Sequence, residues 1–120
     1  MESRKSEFNI NYMVAVDGSD ASHQAFELVR DNLFDPTMDK LTVAHSFNPV
    51  KTYLPLHMKP DVIKETYQSL ILGYGSHSQL VWEPSDMKKI DTKDHVVDMA
   101  KHYNADIIVV GMHGRKGPKE

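Results

Sequence analysis

The sequence predicts a single α/β domain: a three-layer sandwich in which helices cover both faces of an open, mostly parallel sheet. Three observations predict it. Short apolar runs typical of strands alternate along the chain with segments of helical periodicity, as in folds with parallel sheets. The run 107–110 is entirely apolar, which is typical of a strand covered on both faces. The chain has 120 residues, enough for one packed core but not for two.

Each element has a local signal. The first strand, 11–16, ends at the turn Asp17-Gly18-Ser19-Asp20, in which Ser19 is favoured as a helix cap. The helix that follows carries apolar residues at helical spacing and stops before Asp35-Pro36. Asn104 suits the left-handed residue that closes the last helix. The remaining predicted elements are strands at 41–46, 78–82 and 106–110, helices at 61–72 and 92–103, and a proline-containing loop over 47–60.

Composition narrows the classes of function. The formal net charge is −3, so a bulk electrostatic attraction to nucleic acid is absent, and we expect no nucleic-acid partner. There is no cysteine, which excludes disulfides and thiol nucleophiles and fits a reducing, cytoplasmic location. No apolar run approaches the roughly 18 residues of a membrane span, and we expect no membrane partner.

Candidate chemistry lies where two strands end. Asp17 follows the first strand, and a glycine-rich, basic run from Gly111 to Gly117 follows the last one. In open parallel sheets, ligands bind beyond the carboxyl ends of the strands, so these two segments would face one crevice. A carboxylate there could accept from a base or a ribose, while glycine backbone and cations suit phosphate. The alternative for Asp17 is a turn residue that bonds its own backbone, and for Gly111-x-x-Gly114 a tight strand exit.

The histidines and the common catalytic motifs give weaker evidence of function. His95 and His102 lie seven residues apart on one helix, whereas metal-binding pairs use shorter spacings, so we expect no metal site. His45 is interpreted as a core or crevice-edge imidazole with a satisfied hydrogen bond. Neither the G-x-S-x-G turn of serine hydrolases nor the phosphate-binding G-x-x-x-x-G-K-(S/T) loop occurs. We therefore expect no enzyme, or at most one that hydrolyses its ligand slowly.

Three segments, in the right order, resemble the universal stress protein family. They are MVAVDGSDAS at 13–22, LTVAHS at 41–46 and HVVDMAKHYNADIIVVGMHGRKG at 95–117. The resemblance implies the family's adenine nucleotide alpha hydrolase-like fold, with strand order 3-2-1-4-5. It also implies an adenine nucleotide, ATP or AMP with or without Mg²⁺, as the ligand. The nucleotide-binding residues that the resemblance carries over are Ala15, Asp17, Ser46, Gly111, Met112, His113, Gly114, Arg115 and Lys116.

The resemblance is incomplete at two places. Glu83 stands where the family commonly has glycine, and the printed sequence stops before the motif's third glycine and its Ser/Thr partner. Residues 1–10 are polar, and we expect them to form a short tail before the first strand. Relative to the family pattern, residues 11–120 would form a single domain of order 3-2-1-4 that lacks the last helix and the fifth strand. Such a chain would bind ATP weakly or not at all, and its apolar edge strand would favour self-association, as in a homodimer.

Two functions follow from the resemblance. The first is a stress-response regulator that binds ATP or AMP and signals through its bound state or its dimer. The second is a nucleotide-independent interaction module that uses the exposed sheet edge or the loop over 47–60. Nucleotide that stays with the purified protein would distinguish the first from the second.

Overall fold

A computed structural model describes residues 9–47, 54–84 and 92–111. The four strands are β1 (Asn11–Ala15), β2 (Lys40–Phe47), β3 (Ser78–Pro84) and β4 (Ile107–Val110). They form one sheet of order β3-β2-β1-β4, and every neighbouring pair is parallel. The predicted order 3-2-1-4 is therefore confirmed.

Helices lie on both sides of the sheet. They are α1 (Asp20–Leu28), α2 (Pro60–Ile71) and α3 (Thr92–His102), with a π-helical segment at Val29–Leu33 and 3₁₀ segments at Leu56–Met58 and Leu72–His77. Alternate strand residues point to opposite faces, so two cores form. The larger core joins β1 and β2 to α1 and α2, while the smaller one places Met99 and Ala100 of α3 against Met13, Ala44 and Val81.

Capping signals act as the sequence predicts. Ser19 accepts a hydrogen bond from the Ser22 N–H at 3.2 Å and caps α1. Asn104 has a φ of 62° and follows α3 in the left-handed region. The first helix, predicted to continue to Phe34, instead widens at its end, where the Phe34 N–H donates to the Val29 carbonyl five residues back. This wider turn carries Phe34 into the core, where it is 6% exposed.

The predicted coverage of the last strand on both faces is wrong. Three of its four side chains are exposed: Ile107 by 42%, Ile108 by 40% and Val110 by 53%. Within the described ranges, this strand pairs with β1 alone and lies at the end of the sheet order. An apolar run indicates a strand, but it does not show which neighbours cover its faces.

Candidate functional site

The carboxyl ends of three strands meet at one edge of the sheet. Ala15 of β1 is in register with Ala44 of β2 and with Val110 of β4. The residues that follow these positions, including Asp17, Ser46 and Gly111, therefore lie on one side of the domain. In open α/β sheets, ligands bind beyond the carboxyl ends of the strands, and this edge is therefore where a ligand is expected.

A cavity of about 360 Å³ opens at this edge. Its volume falls within the range of roughly 300–1,000 Å³ that is usual for small-molecule pockets. Apolar side chains from α3 and β4 form much of the wall, and the polar groups come from the turn after β1 and from the end of β2. The described lining residues are Ala15, Val16, Asp17, Ser22, Ala44, Ser46, Val96, Val97, Ile108, Val110 and Gly111.

Asp17 organises the turn that leads into α1. Its Oδ1 accepts a hydrogen bond from the Ser19 N–H at 2.9 Å, and its own N–H donates to Ser22 Oγ at 3.2 Å. The interpretation of Asp17 as a turn residue that bonds its own backbone is thereby confirmed. The residue also lines the cavity, so its negative charge lies beside any ligand there.

Gly111 brings the end of β4 against the first turn of α1. A Cβ at this position would lie 2.3 Å from the Ala21 carbonyl oxygen and 2.5 Å from the Ser22 nitrogen. Only glycine permits that approach, because the opposing atoms belong to backbone and cannot rotate away. The chain thus leaves the sheet beside a helix N-terminus, where backbone N–H groups favour anions.

Ser46 belongs to a hydrogen-bonded network of polar side chains that the sequence did not reveal. Its hydroxyl lies 2.5 Å from Nδ1 of His95, and Nε2 of the same ring lies 3.4 Å from Oε1 of Glu83. The Tyr103 hydroxyl donates to the other Glu83 oxygen at 2.8 Å. This hydrogen bond, ahead of burial, raises the pKa of Tyr103 above its usual value. This network links β2, β3 and α3 beside the cavity.

The order hydroxyl, imidazole, carboxylate is also that of nucleophilic triads. Such triads need donors aimed at an oxyanion as well as the three groups. Ser46 is only 8% exposed, so its hydroxyl is poorly placed to attack a substrate. We therefore interpret these side chains as a hydrogen-bonded network that holds Ser46 at the lining of the cavity.

His45 points to the opposite face of the sheet. Its Nδ1 lies 2.8 Å from the Val16 carbonyl, whereas its buried Nε2 finds no hydrogen-bond partner among the described residues. Burial lowers the pKa of His45, and the hydrogen bond to Val16 and the charge of Asp17 oppose that shift. The satisfied imidazole expected at this position is therefore only half satisfied.

The structure brings together four of the nucleotide-binding residues carried over from the family: Ala15, Asp17, Ser46 and Gly111. The other five, Met112, His113, Gly114, Arg115 and Lys116, lie outside the described residues. Sequence reasoning missed the contribution of α3, whose first turns supply His95, Val96 and Val97. The signal was available, because a helix that follows a parallel strand begins at that strand's carboxyl end. Within residues 9–47, 54–84 and 92–111, no group of three or more His, Asp and Glu side chains could hold a metal ion.

Comparison with family models identifies one family. The model of the universal stress protein family matches residues 11–120. A search of curated proteins found no match. No helix in the described part of the chain is both long and apolar enough to cross a membrane.

Solved structures share the fold at low sequence identity. A universal stress protein of Arabidopsis thaliana, solved with AMP bound, is 19% identical, with a TM-score of 0.64 over 88% of this chain and 78% of that one. Protein Rv1636 of Mycobacterium tuberculosis is 18% identical, with a TM-score of 0.59 over 94% of this chain and 79% of that one. A universal stress family protein of Burkholderia pseudomallei is 17% identical, with a TM-score of 0.54 over 86% and 81%. With the family model covering most of its length, the chain belongs to the universal stress protein family.

Proposed function

We propose that this protein binds an adenine nucleotide, ATP or AMP, in the cavity at the carboxyl edge of the sheet and acts as a stress-response regulator. One observation carries the proposal: the apolar side chains of Val96, Val97 and Ile108 line the same cavity as Gly111. We call this apolar part of the cavity the slot. The slot suits a flat base, and the N-terminus of α1, which lies beside Gly111, suits a phosphate. The Arabidopsis relative, whose structure contains AMP, supports the choice of ligand.

The polar walls of the slot suit a nucleoside. Asp17 brings a carboxylate to the end of β1, and Ser46 brings a hydroxyl to the end of β2. These groups can accept from an amino group of the base or a hydroxyl of the sugar. Between them lie Ala15 and Ala44, whose small side chains leave room for the ring. Most of the described contacts are apolar, so we expect weak binding that a millimolar titration detects.

We propose binding rather than turnover as the activity, with hydrolysis slow at most. Signalling would then depend on which nucleotide occupies the cavity. Mg²⁺ would accompany ATP through its phosphates and is not needed for AMP. The absence of cysteine supports a cytoplasmic location.

The test combines a charge placed in the slot with a matched charge elsewhere. Val97 lines the cavity and is 40% exposed, so Val97→Glu puts a carboxylate beside the ligand at little cost in stability. Leu72→Glu is the control, because Leu72 is 80% exposed and does not line the cavity. Calorimetric titration with AMP should show binding to the wild type and Leu72→Glu and a loss of at least ten-fold in Val97→Glu. Equal affinities for all three proteins would contradict the proposed site.

A second candidate function, self-association, rests on the exposed last strand. Ile107 and Val110 expose about half of their surface at the end of the sheet, and unpaired apolar edges favour pairing with another chain. We propose a homodimer that uses this edge. Light scattering should find a dimer in the wild type and a monomer in Ile107→Lys. A wild-type protein that stays monomeric throughout a concentration series would rule this mode out.

A further inference from the structure

The first turns of α3 form one wall of the cavity. Val96 and Val97 lie in its lining, together with side chains from β1, β2 and β4. The buried residues of this helix, Met99 and Ala100, lie further along, where they pack in the smaller core. Val97 is 40% exposed, and Val96 is only partly buried. The half of α3 that borders the cavity therefore has less apolar anchorage than the half that follows it.

Polar contacts of His95 tie this half of α3 to the sheet. Its Nδ1 lies 2.5 Å from the Ser46 hydroxyl near the end of β2, and its Nε2 lies 3.4 Å from Oε1 of Glu83 near the end of β3. The side chain of His95 is only 12% exposed, so these contacts are largely shielded from water. They join the first turns of the helix to two neighbouring strands.

Glu83 also contacts the residue that follows the helix. The Tyr103 hydroxyl donates to its Oε2 at 2.8 Å. Tyr103 stands eight residues after His95, which is about 12 Å along a helix axis. Because Tyr103 packs against the smaller core, it gives the carboxylate a fixed donor. One carboxylate on β3 thus joins the well-anchored end of α3 to the part that borders the cavity.

We infer that Glu83 is a positioning residue that holds the first turns of α3 against the sheet and so sets the α3 wall of the cavity. Glu83 is not among the described lining residues, so it acts through His95 and the helix. Without the carboxylate, Val96 and Val97 should move away from the sheet more often, while the buried half of the helix stays packed.

A ligand in the cavity would favour the same closed position of this wall. It contacts Val96 and Val97 only while these side chains lie at the cavity, so binding stabilises that position by linkage. The first turns of α3 would then become more ordered when the cavity is filled, which gives the domain a way to report its occupancy. This part of the inference rests on the proposed nucleotide site, whereas the role of Glu83 does not.

Amide hydrogen exchange of the full chain, followed by NMR, measures these openings without a ligand. In the wild type, the amides of Val96 and Val97 should be less protected than the amide of Val14, which is fully buried in β1. Glu83→Ala should lower the protection of Val96 and Val97 by about three- to ten-fold, the worth of one hydrogen bond.

Three further variants check that the effect passes through Glu83. Glu83→Gln keeps an acceptor for Tyr103, so its protection factors should lie closer to the wild type than those of Glu83→Ala. Tyr103→Phe should still lower the protection of Val96, seven residues earlier in the chain. Because it removes a single oxygen, Tyr103→Phe tests the inference even where Glu83→Ala does not fold. Glu65→Ala removes an exposed glutamate from α2 and should leave the protection of Val96 unchanged.

Two results in the free protein would overturn the role of Glu83. Protection of Val96 and Val97 equal to that of Val14 in the wild type would mean that the first turns of α3 open only with the whole fold. A loss of protection in Glu83→Ala at Val14, with none at Val96 and Val97, would mean that Glu83 stabilises the fold as a whole and not this wall.

Added AMP separates this inference from the proposed site. At saturating AMP, the protection of Val96 and Val97 should rise in the wild type and in Glu83→Ala. If AMP binds and their protection does not rise, the linkage between ligand and wall is wrong. If AMP does not bind the wild type, the proposed nucleotide site is wrong and the linkage with it, while exchange in the free protein still decides the role of Glu83.

Discussion

Substituting Gly111 by alanine should damage both the fold and the site. The new Cβ would lie 2.3 Å from the Ala21 oxygen, 2.4 Å from the Ala21 carbonyl carbon and 2.5 Å from the Ser22 nitrogen. Ordinary contacts of this kind begin near 3.4 Å, so the overlap is about 1 Å against three backbone atoms. The end of β4 or the first turn of α1 must therefore move. Overpacking typically costs about 1–3 kcal/mol, and rigid backbone neighbours place this case toward the upper end.

A matched glycine provides the control. A Cβ added at Gly73 would meet no atom within 4 Å, and Gly73 is exposed. Gly73→Ala should change the free energy of unfolding by a few tenths of a kcal/mol or stabilise by up to about 1 kcal/mol. Urea denaturation at pH 7.5 measures both variants. The reasoning is refuted if the unfolding free energy of Gly111→Ala lies within about 0.5 kcal/mol of that of Gly73→Ala.

Three further predictions concern the core and its titrating groups. Phe26 is fully buried, so Phe26→Ala should lower the free energy of unfolding by about 3–5 kcal/mol. Leu28 is 50% exposed, so Leu28→Ala should change it little. Similar losses in the two variants would contradict the assigned core. Burial lowers the pKa of His45, so the unfolded chain binds the proton first and stability should fall as the pH drops below about 6.5. His45→Asn keeps a donor for the Val16 carbonyl and should reduce the dependence of the unfolding free energy on pH, measured by urea denaturation between pH 7.5 and 5.5. An unchanged dependence on pH would refute this prediction. Burial raises the pKa of Tyr67 to about 12, so the free energy of unfolding should fall as the pH rises from about 10 through 12. Tyr67→Phe should reduce that fall in urea denaturation, and a fall of the same size in the variant would contradict the prediction.

Much of the fold could be predicted because its signals are local. The cap at Ser19 and the left-handed Asn104 depend on a few neighbouring residues, and both were predicted. Parallel order followed from alternating strands and helices. The exposure of Ile108 on the last strand was missed, because an apolar run does not state what packs on it.

The site was predictable only in part, for a similar reason. Asp17 and Gly111 follow strands, and strand ends converge in any parallel sheet, so sequence position alone placed them. The contact between Ser46 and His95 joins residues 49 positions apart. It depends on how α3 packs against β2, which no local pattern encodes. In the sequence, His95 stands out only through its spacing from His102, as a candidate metal ligand.

The central claim, that an adenine nucleotide occupies the cavity beside Gly111, is tested most directly by methyl NMR of the full chain titrated with AMP to millimolar concentration. The account predicts saturable shifts concentrated at the cavity-lining methyl groups of Val96, Val97, Ile108 and Val110. The methyl groups of Leu56 and Leu72, which are exposed and do not line the cavity, should not move. Unchanged cavity methyl groups, or shifts of equal size at both sets, would contradict it.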